Sequence, residues 1–318
     1  MLNQQSKKPL FGFRKITIIE MPDKRQGQIR IFTPAKITPR LHVMKKRADG
    51  YHEVCILLVP VSLYDCIDLS LSDQEGTTLE VLGADLGPTE SNLVSRAVEA
   101  FRERAGLAGG VRIRLEKIIP HGAGLGGGSG NAAGTLVAIN HLHGNPLDVN
   151  QLREMAAGFG SDIPFFITPS PTIATGRGER LEPVSEFPAL QILILAPPFS
   201  ISTGEAYGAV TPGPPVTRLP VMNTLDAVRT HLANDFEAPV FQKFPELLQL
   251  RQTLLKHGAT GALLSGSGTA LFGVFADRAA LTHAVETLNL PPGWRLFPCQ
   301  SLETHDYFRV PDPAHPSV

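Results

Sequence analysis

Cysteine is scarce in this chain of 318 residues, with only Cys55, Cys66 and Cys299 present. The count is odd and no two of them form a C-x-x-C pair, which excludes a disulfide framework and suits a reducing cytoplasm. Buried thiols are the simplest reading. Charge of one sign is lacking too: 29 lysines and arginines against 30 acidic residues leave a formal net charge of −1. Such a chain carries no electrostatic footprint for nucleic acid or an anionic membrane surface. No apolar run approaches the ~18 residues of a membrane helix. The basic N-terminal segment holds Lys7, Lys8, Arg14 and Lys15, but its apolar stretch at 16–19 is too short for the core of a secretory signal. None of the ten histidines pairs with another at metal-ligand spacing beside a carboxylate. His141 and His143, flanking Leu142, read as surface residues rather than zinc ligands. With 42% hydrophobic and 19% charged residues, the expectation is a soluble, cytoplasmic, globular protein that binds neither nucleic acid nor membrane. It is long enough for two ordinary domains.

Glycine, by contrast, is concentrated in one place. Residues 120–133 read Pro-His-Gly-Ala-Gly-Leu-Gly-Gly-Gly-Ser-Gly-Asn-Ala-Ala, six glycines in fourteen positions. Upstream, Val111, Ile113 and Leu115 alternate with Arg112, Arg114 and Glu116, the period of a strand with one buried face. Downstream, Ala132, Ala133, Leu136, Val137 and Ile139 recur at helical spacing. A glycine-rich bridge from strand to helix suits a polyphosphate. Backbone without Cβ atoms approaches an anion closely, its N–H groups converge, and the helix N-terminus adds unsatisfied donors. The implied ligand is a nucleotide phosphate. Neither named phosphate motif fits. A Walker A loop needs Lys and then Ser or Thr after its last glycine, whereas Gly128 is followed by Ser129 and Gly130. The formal G-x-G-x-x-G at Gly122, Gly124 and Gly127 lacks the buried apolar strand before it. The acid nearest the required offset, Asp148, opens a helix instead of closing a strand. A flexible linker is the alternative, but a linker has no reason to abut two well-patterned elements.

Residues 1–27 form a polar, basic extension with one candidate strand at 15–19. The stretch from 29 to about 71 is strand-rich, broken by a charged turn whose Asp49-Gly50 is a hairpin signal. Another strand is expected at 77–81. A helix is expected at 92–104, capped by Ser91 or Asn92 and stopped by Gly106, and a short one at 148–157. A second unit begins near residue 187. It holds a strand at 192–195, an irregular proline-rich loop at 211–220, and helices at 223–234 and 245–257. A strand at 262–264, the turn Ser265-Gly266-Ser267-Gly268, a strand at 270–275, a helix at 278–289 and a strand at 294–298 complete it. This order is α+β, close to the split βαβ arrangement. The expected division is an extension at 1–27, one α+β domain at 28–186, a second at 187–305, and a tail at 306–318, with a cleft between the domains.

Lys36 sits inside an otherwise apolar strand, and Asp162 is wedged between a helix end and Ile163-Pro164-Phe165-Phe166. Taken singly, the lysine reads as a solvated edge and the aspartate as an Asx-turn acceptor. Taken with a phosphate loop, they read as the base and cation that phosphoryl transfer to an alcohol requires. Ser129 either caps the following helix or turns its hydroxyl to Mg²⁺ and phosphate. Tyr51 and His52 either pack or stack on a base. Residues 265–268 form either a plain hairpin turn or a second glycine-rich wall.

Five stretches, in this order, resemble the GHMP kinase superfamily: Pro34-Ala35-Lys36-Ile37, Arg47 to His52, Gly124 to Ala133, Gly160 to Phe166, and Ser265 to Phe272. Gly-Gly-Gly-Ser-x-Asn-Ala-Ala and Arg-Ala-Asp-Gly-Tyr-His are most similar to the branch acting on a cytidine diphosphate-linked methylerythritol. The resemblance covers about residues 28–300. It implies a two-domain α+β GHMP kinase fold with its site in the interdomain cleft, and ATP and Mg²⁺ as requirements. The implied reaction moves the γ-phosphoryl group to the 2-hydroxyl of the methylerythritol, a step of non-mevalonate isoprenoid synthesis, without a covalent enzyme intermediate. The resemblance makes Asp162 the base and Lys36 its support. It places Pro120, Gly122, Gly124, Leu125, Gly126, Gly127, Gly128 and Ser129 on the ATP phosphates, with Ser129 as the candidate Mg²⁺ contact. Asn92 and Lys117 fall at nucleotide-contacting positions, Tyr51 and His52 at the cytosine, and Thr203 and Tyr207 on the same pocket. A monomer or a homodimer is compatible with this reading.

Two departures stand out. Thr38, followed by Pro39, replaces the asparagine usual two residues after the lysine, and Gly130 replaces a usual serine in the loop. Threonine offers only a hydroxyl where asparagine offers a carbonyl and two N–H donors. Thr38-Pro39 therefore keeps open a paralogue kinase for a different small alcohol. A nucleotide-binding homologue without catalysis is the third reading, and retention of both Lys36 and Asp162 argues against it.

Overall fold

The structure is a computed structural model and is described here for residues 27–106 and 109–309. The candidate strand at 15–19 lies outside the described residues. Two long strands open the chain, β1 (Gln28–Lys46) and β2 (His52–Ser72), joined through the Asp49-Gly50 turn with Gly50 at φ 86°. β3 (Gly76–Leu82), α1 (Leu93–Ala105) and β4 (Gly110–Glu116) follow. Asn92, not Ser91, caps α1, its side chain accepting from Val94 N–H at 3.0 Å, and Gly106 ends the helix in the left-handed region. In β4, Val111, Ile113 and Leu115 are buried while Arg112, Arg114 and Glu116 are exposed, as their alternation predicts.

Next come α2 (Gly127–Leu142), α3 (Val149–Ala157) with an Asp148/Gln151 capping box, a 3-10 turn at Pro164–Ile167, and strands β5 (Thr172–Gly176) and β6 (Arg180–Pro183). The second half contains β7 (Gln191–Ala196), α4 (Thr203–Ala209), α5 (Leu225–His231), β8 (Ala233–Asn234), α6 (Glu237–Lys243) and α7 (Pro245–Lys256). It ends with β9 (Gly261–Leu264), β10 (Leu271–Phe275), α8 (Arg278–Thr287) and β11 (Arg295–Gln300). No helix among the described residues is long and apolar enough to cross a membrane.

Two sheets result. The larger runs β3-β4-β2-β1-β8, and β2 is long enough to pair with β4 over 66–72 and with β5 over 54–58. The smaller runs β11-β7-β10-β9 with every pair antiparallel, the split βαβ order. One apolar cluster packs helices on both sheets: it includes Ile31, Ile67, Val98, Phe101, Leu136 and Ile139 on the larger, and Leu195, Leu254, Phe275 and Leu281 on the smaller. A second joins the sheets: Ala35, Ile37, Val59 and Val61 of β1 and β2 meet Ile192, Ile194, Phe272 and Phe297. The centre of the β1–β2 pair is thus covered on both faces, which accounts for its unbroken apolar run.

Two expectations need correction. The helix expected at 223–234 spans only 225–231, because Asn234 turns inward and donates to the carbonyls of Leu264 (2.9 Å) and Gly266 (2.8 Å). Ser129 does not cap α2: the helix begins at Gly127 with Gly126 at the N-cap, so Ser129 already lies in the first turn.

α2 packs closely on β1. A Cβ built on Gly134 would lie 2.5 Å from Thr33 Cγ2 and 3.0 Å from Ile31 Cδ1. Gly134→Ala gains about 1 kcal/mol of helix propensity but incurs about 1–3 kcal/mol of overpacking. The expected net result is a lower urea midpoint at unchanged slope; a raised midpoint contradicts the close packing.

Candidate active site

The glycine loop runs along the seam between the two sheets, and the carbonyls of residues 123–125 are turned into the protein. Leu125 O accepts from Lys36 N–H (2.9 Å) on β1, and Ala123 O accepts from Ala270 N–H (3.0 Å) beside β10. Gly124 O accepts from both Lys36 Nζ (2.7 Å) and the Ser265 hydroxyl (3.2 Å). Backbone lies against backbone here: a Cβ on Gly124 would sit 2.0 Å from the Ser265 carbonyl oxygen. Residues 265–268 are therefore not a wall across a gap but a turn pressed onto the loop. Gly126 is as confined, because a Cβ there would come 2.7 Å from Phe166 Cζ and 3.0 Å from Lys36 Cγ, at φ 72°.

No side chain caps α2. The first N–H to bond back is that of Gly130, to Gly126 O at 2.8 Å. The N–H groups of Gly127, Gly128 and Ser129 are left as free donors at the positive end of the helix. With the loop carbonyls engaged elsewhere, this end presents donors to an anion.

Beneath the loop lies a buried polar cluster that sequence reading missed. Asp65, fully buried on β2, accepts from Ile118 N–H (2.7 Å), Ile119 N–H (2.9 Å), Asn131 Nδ2 (2.9 Å) and Lys117 Nζ. Lys117 also donates to Asn131 Oδ1 at 3.2 Å, and Asn131 donates to the Thr33 hydroxyl at 2.7 Å. Lys117 is thus committed to Asp65 inside the protein, with its ammonium directly behind Gly127.

Lys36 is buried with its ammonium between the two glycine turns; a Cβ on Gly266 would lie 2.9 Å from Nζ. Burial pushes this ammonium below the ordinary lysine range, and the Asp162 carboxylate opposes that shift. Asp162 is half-buried at the turn before Pro164–Ile167. Burial, reinforced by the same carboxylate, raises the Tyr207 phenol above its ordinary value. Tyr207, on α4, stacks on His52 at 5.3 Å between centroids and 26° between planes, and meets Phe236 edge-on. Burial and then the charge of Lys46 hold the His52 imidazole below its ordinary range. The Asp162 charge thus acts on both Lys36 and Tyr207, and Tyr207 in turn stacks on His52.

Other candidate residues lie around these. Tyr51 is exposed, and the Arg177 guanidinium lies 4.9 Å from its ring centroid. Thr38 is buried, and its hydroxyl accepts the Gly266 N–H, so it bridges the seam. Thr203 is exposed at the start of α4, Asn92 half-buried at the start of α1, and Pro120 buried before the loop. At Gly130 a Cβ would lie 3.0 Å from Pro34 O and 3.5 Å from the Phe166 ring, so a serine there requires its neighbours to give. The pair Asn234-Asp235 was also missed. Asn234 holds the 264–266 backbone, and Asp235 accepts from Val43 N–H (2.8 Å) and pairs with His42 (2.9 Å). A two-residue strand leaves no periodic signal by which to find it.

Comparison with known proteins agrees with this geometry. The model of the GHMP kinases N terminal domain matches residues 92–169, and that of the GHMP kinases C terminal matches residues 222–290. These matches define the class as GHMP kinase. A 4-diphosphocytidyl-2-C-methyl-D-erythritol kinase of Syntrophotalea carbinolica is 40% identical over 267 residues, 83% of this chain and 95% of that one. A solved 4-(cytidine 5'-diphospho)-2C-methyl-D-erythritol kinase is 36% identical with a TM-score of 0.74, covering 86% of this chain and 99% of that one. Homoserine kinase from Cytophaga hutchinsonii, at 19% identity and TM-score 0.67 over 88% of this chain and 96% of that one, shares the fold. The chain belongs to the 4-diphosphocytidyl-2-C-methyl-D-erythritol kinase family within the GHMP kinases.

Asp65→Ala leaves the Lys117 ammonium buried without its counter-charge. The expected loss is about 3–5 kcal/mol, read from urea denaturation, with partial recovery in the Asp65→Ala, Lys117→Met double variant. A cost below about 1 kcal/mol, the range of exposed pairs, means the cluster does not hold the loop.

Proposed function

We propose that this chain transfers the γ-phosphoryl group of ATP to the 2-hydroxyl of 4-diphosphocytidyl-2-C-methyl-D-erythritol. The observation that carries this reading is buried Lys36 beside the uncapped N-terminus of α2, its ammonium donating to Gly124 O of the loop while the Asp162 charge acts on it. The free N–H groups of residues 127–129 hold the ATP phosphates, with Asn92 flanking the nucleotide and Lys117, paired with Asp65, supporting the loop from behind Gly127. Asp162 takes the proton of the 2-hydroxyl as that oxygen bonds to the γ-phosphorus and the bond to the β-phosphate oxygen breaks. Lys36 supports Asp162 and faces the charge of the transferring group. Tyr51, His52, Thr203 and Tyr207 hold the cytidine end, with the neutral His52 ring offering one donor and one acceptor.

No cluster of three metal-ligating side chains exists among the described residues. Hard oxygen donors do suit Mg²⁺ carried on substrate phosphates, and the Ser129 hydroxyl in the first turn of α2 would be the protein's contact. When bound, the ion neutralises phosphate charge. Residues 28–186 form the nucleotide-holding domain in this reading, and residues 187–305 supply α4 and the second glycine turn.

The sequestration of Thr38 in the seam supports a second reading, a different small alcohol as acceptor. A phosphate-transfer assay with ATP-Mg²⁺, the cytidine compound and a panel of other alcohols separates the two. Turnover confined to another alcohol favours the second. Asp162→Asn is expected to fold, to bind ATP as before, and to lose more than about 10²-fold in kcat; normal turnover removes Asp162 from the mechanism.

pH supplies a further check. A histidine held below its ordinary range stays neutral until the pH falls beneath that range. KM for the cytidine substrate is therefore expected to stay flat from pH 8 to about 6.5 and to rise only below it, while His52→Gln shows no such rise. A wild-type KM that already climbs above pH 7 contradicts the neutral ring.

A further inference from the structure

The segment after β11 lies mostly outside the kinase motifs, yet it returns to the larger sheet. Leu302 N–H donates to Pro60 O (2.9 Å), the His305 ring meets Phe32 O (2.6 Å), and Phe32 N–H donates to Tyr307 O (3.2 Å). These bonds deliver Tyr307, only 4% exposed, into a gap bounded by β1, α2 and the turn after Asp162. Its ring lies over the bare face of Gly134, where a Cβ would come 3.1 Å from Cε1. Its hydroxyl donates to the Phe166 carbonyl.

Phe166 connects two parts of the site. It belongs to the 3-10 turn Pro164–Ile167 that begins two residues after Asp162. Its ring lies against Gly126 and Gly130, on the phosphate loop and first turn of α2. Filling this gap needs only a ring of this size, which phenylalanine supplies equally; the hydroxyl adds one directed bond. Burial keeps the phenol protonated, and so a donor, throughout the working pH range.

We propose that Tyr307 is a positioning residue for phosphoryl transfer: through the Phe166 carbonyl its hydroxyl sets the Asp162 turn against the phosphate loop. This rests on Asp162 being the base. Tyr307 touches neither reactant, so its effect falls on alignment in the transition state rather than on binding.

Tyr307→Phe in the full chain, assayed where near-ultraviolet circular dichroism shows it fully folded, is expected to lose about 10- to 100-fold in kcat. KM for ATP and for the alcohol should move less than about twofold, since uniform binding is untouched. In an Asp162→Asn background the same substitution should cause no further loss, because the group it aligns is gone. Wild-type kcat with only a lowered Tm overturns the proposal, as does an equal loss in both backgrounds. Should Asp162→Asn itself turn over normally, the assignment of the base fails, a result distinguishable from an inert Tyr307→Phe.

Discussion

A carboxylate taken out of water must have its oxygens satisfied by the protein, and in this fold one such carboxylate sets the shape of the site. Asp65 takes donors from residues 117–119 on one side of the glycine loop and from Asn131 on the other. Both ends of the loop are therefore tied to the same two oxygen atoms. That matters because glycines bring no side chains with which to fix their own conformation, and ordering each one costs about 1–2 kcal/mol of backbone entropy. The loop is held by its ends and carbonyls, leaving its N–H groups free. Lys117 supplies the counter-charge to the buried carboxylate.

The same economy explains Lys36. An ammonium buried between two glycine turns has few acceptors, so it donates to Gly124 O and feels the Asp162 charge. Its position follows from β1, whose register with β2 shifts between Pro34 and Ala35 and again between Ile37 and Arg40. These irregularities bracket Lys36. Between them Lys36 stays opposite Pro60 of β2 while its N–H bonds Leu125 O of the loop.

Much of this was legible in the sequence, for identifiable reasons. The glycine loop announced itself because a strand period and a helix period stopped on either side of it. Lys36 and Asp162 stood out as charges among apolar neighbours. Asp65 is equally a charge in a strand, standing in the apolar phase of Leu63, Ile67, Leu69 and Leu71; that break in the alternation was the available signal, but its partner Lys117 is 52 residues away. Tyr51 and His52 look like one unit on paper. Successive residues entering a strand face opposite ways, so one ring goes to Arg177 and the other to Tyr207. Thr38 departs from the family pattern in a way that only the seam explains, since its hydroxyl receives a backbone N–H from the far side.

The two sheets are not hinged halves about an open cleft. Separating them would break the Ala270–Ala123 and Ser265–Gly124 bonds, detach β8 from β1, and expose an apolar cluster that includes Ile37, Val61, Ile194 and Phe272. Such a loss greatly exceeds what binding a small molecule returns. The N-terminus of α2 is accordingly pre-organised, with its donors free before any ligand arrives. In the proposed reading, adjustment to the alcohol falls to the periphery, where Tyr51 and Thr203 are exposed and His52 meets α4 through one stacked ring. That reading puts chemistry on the loop, Lys36 and Asp162, and selectivity on a different part of the frame.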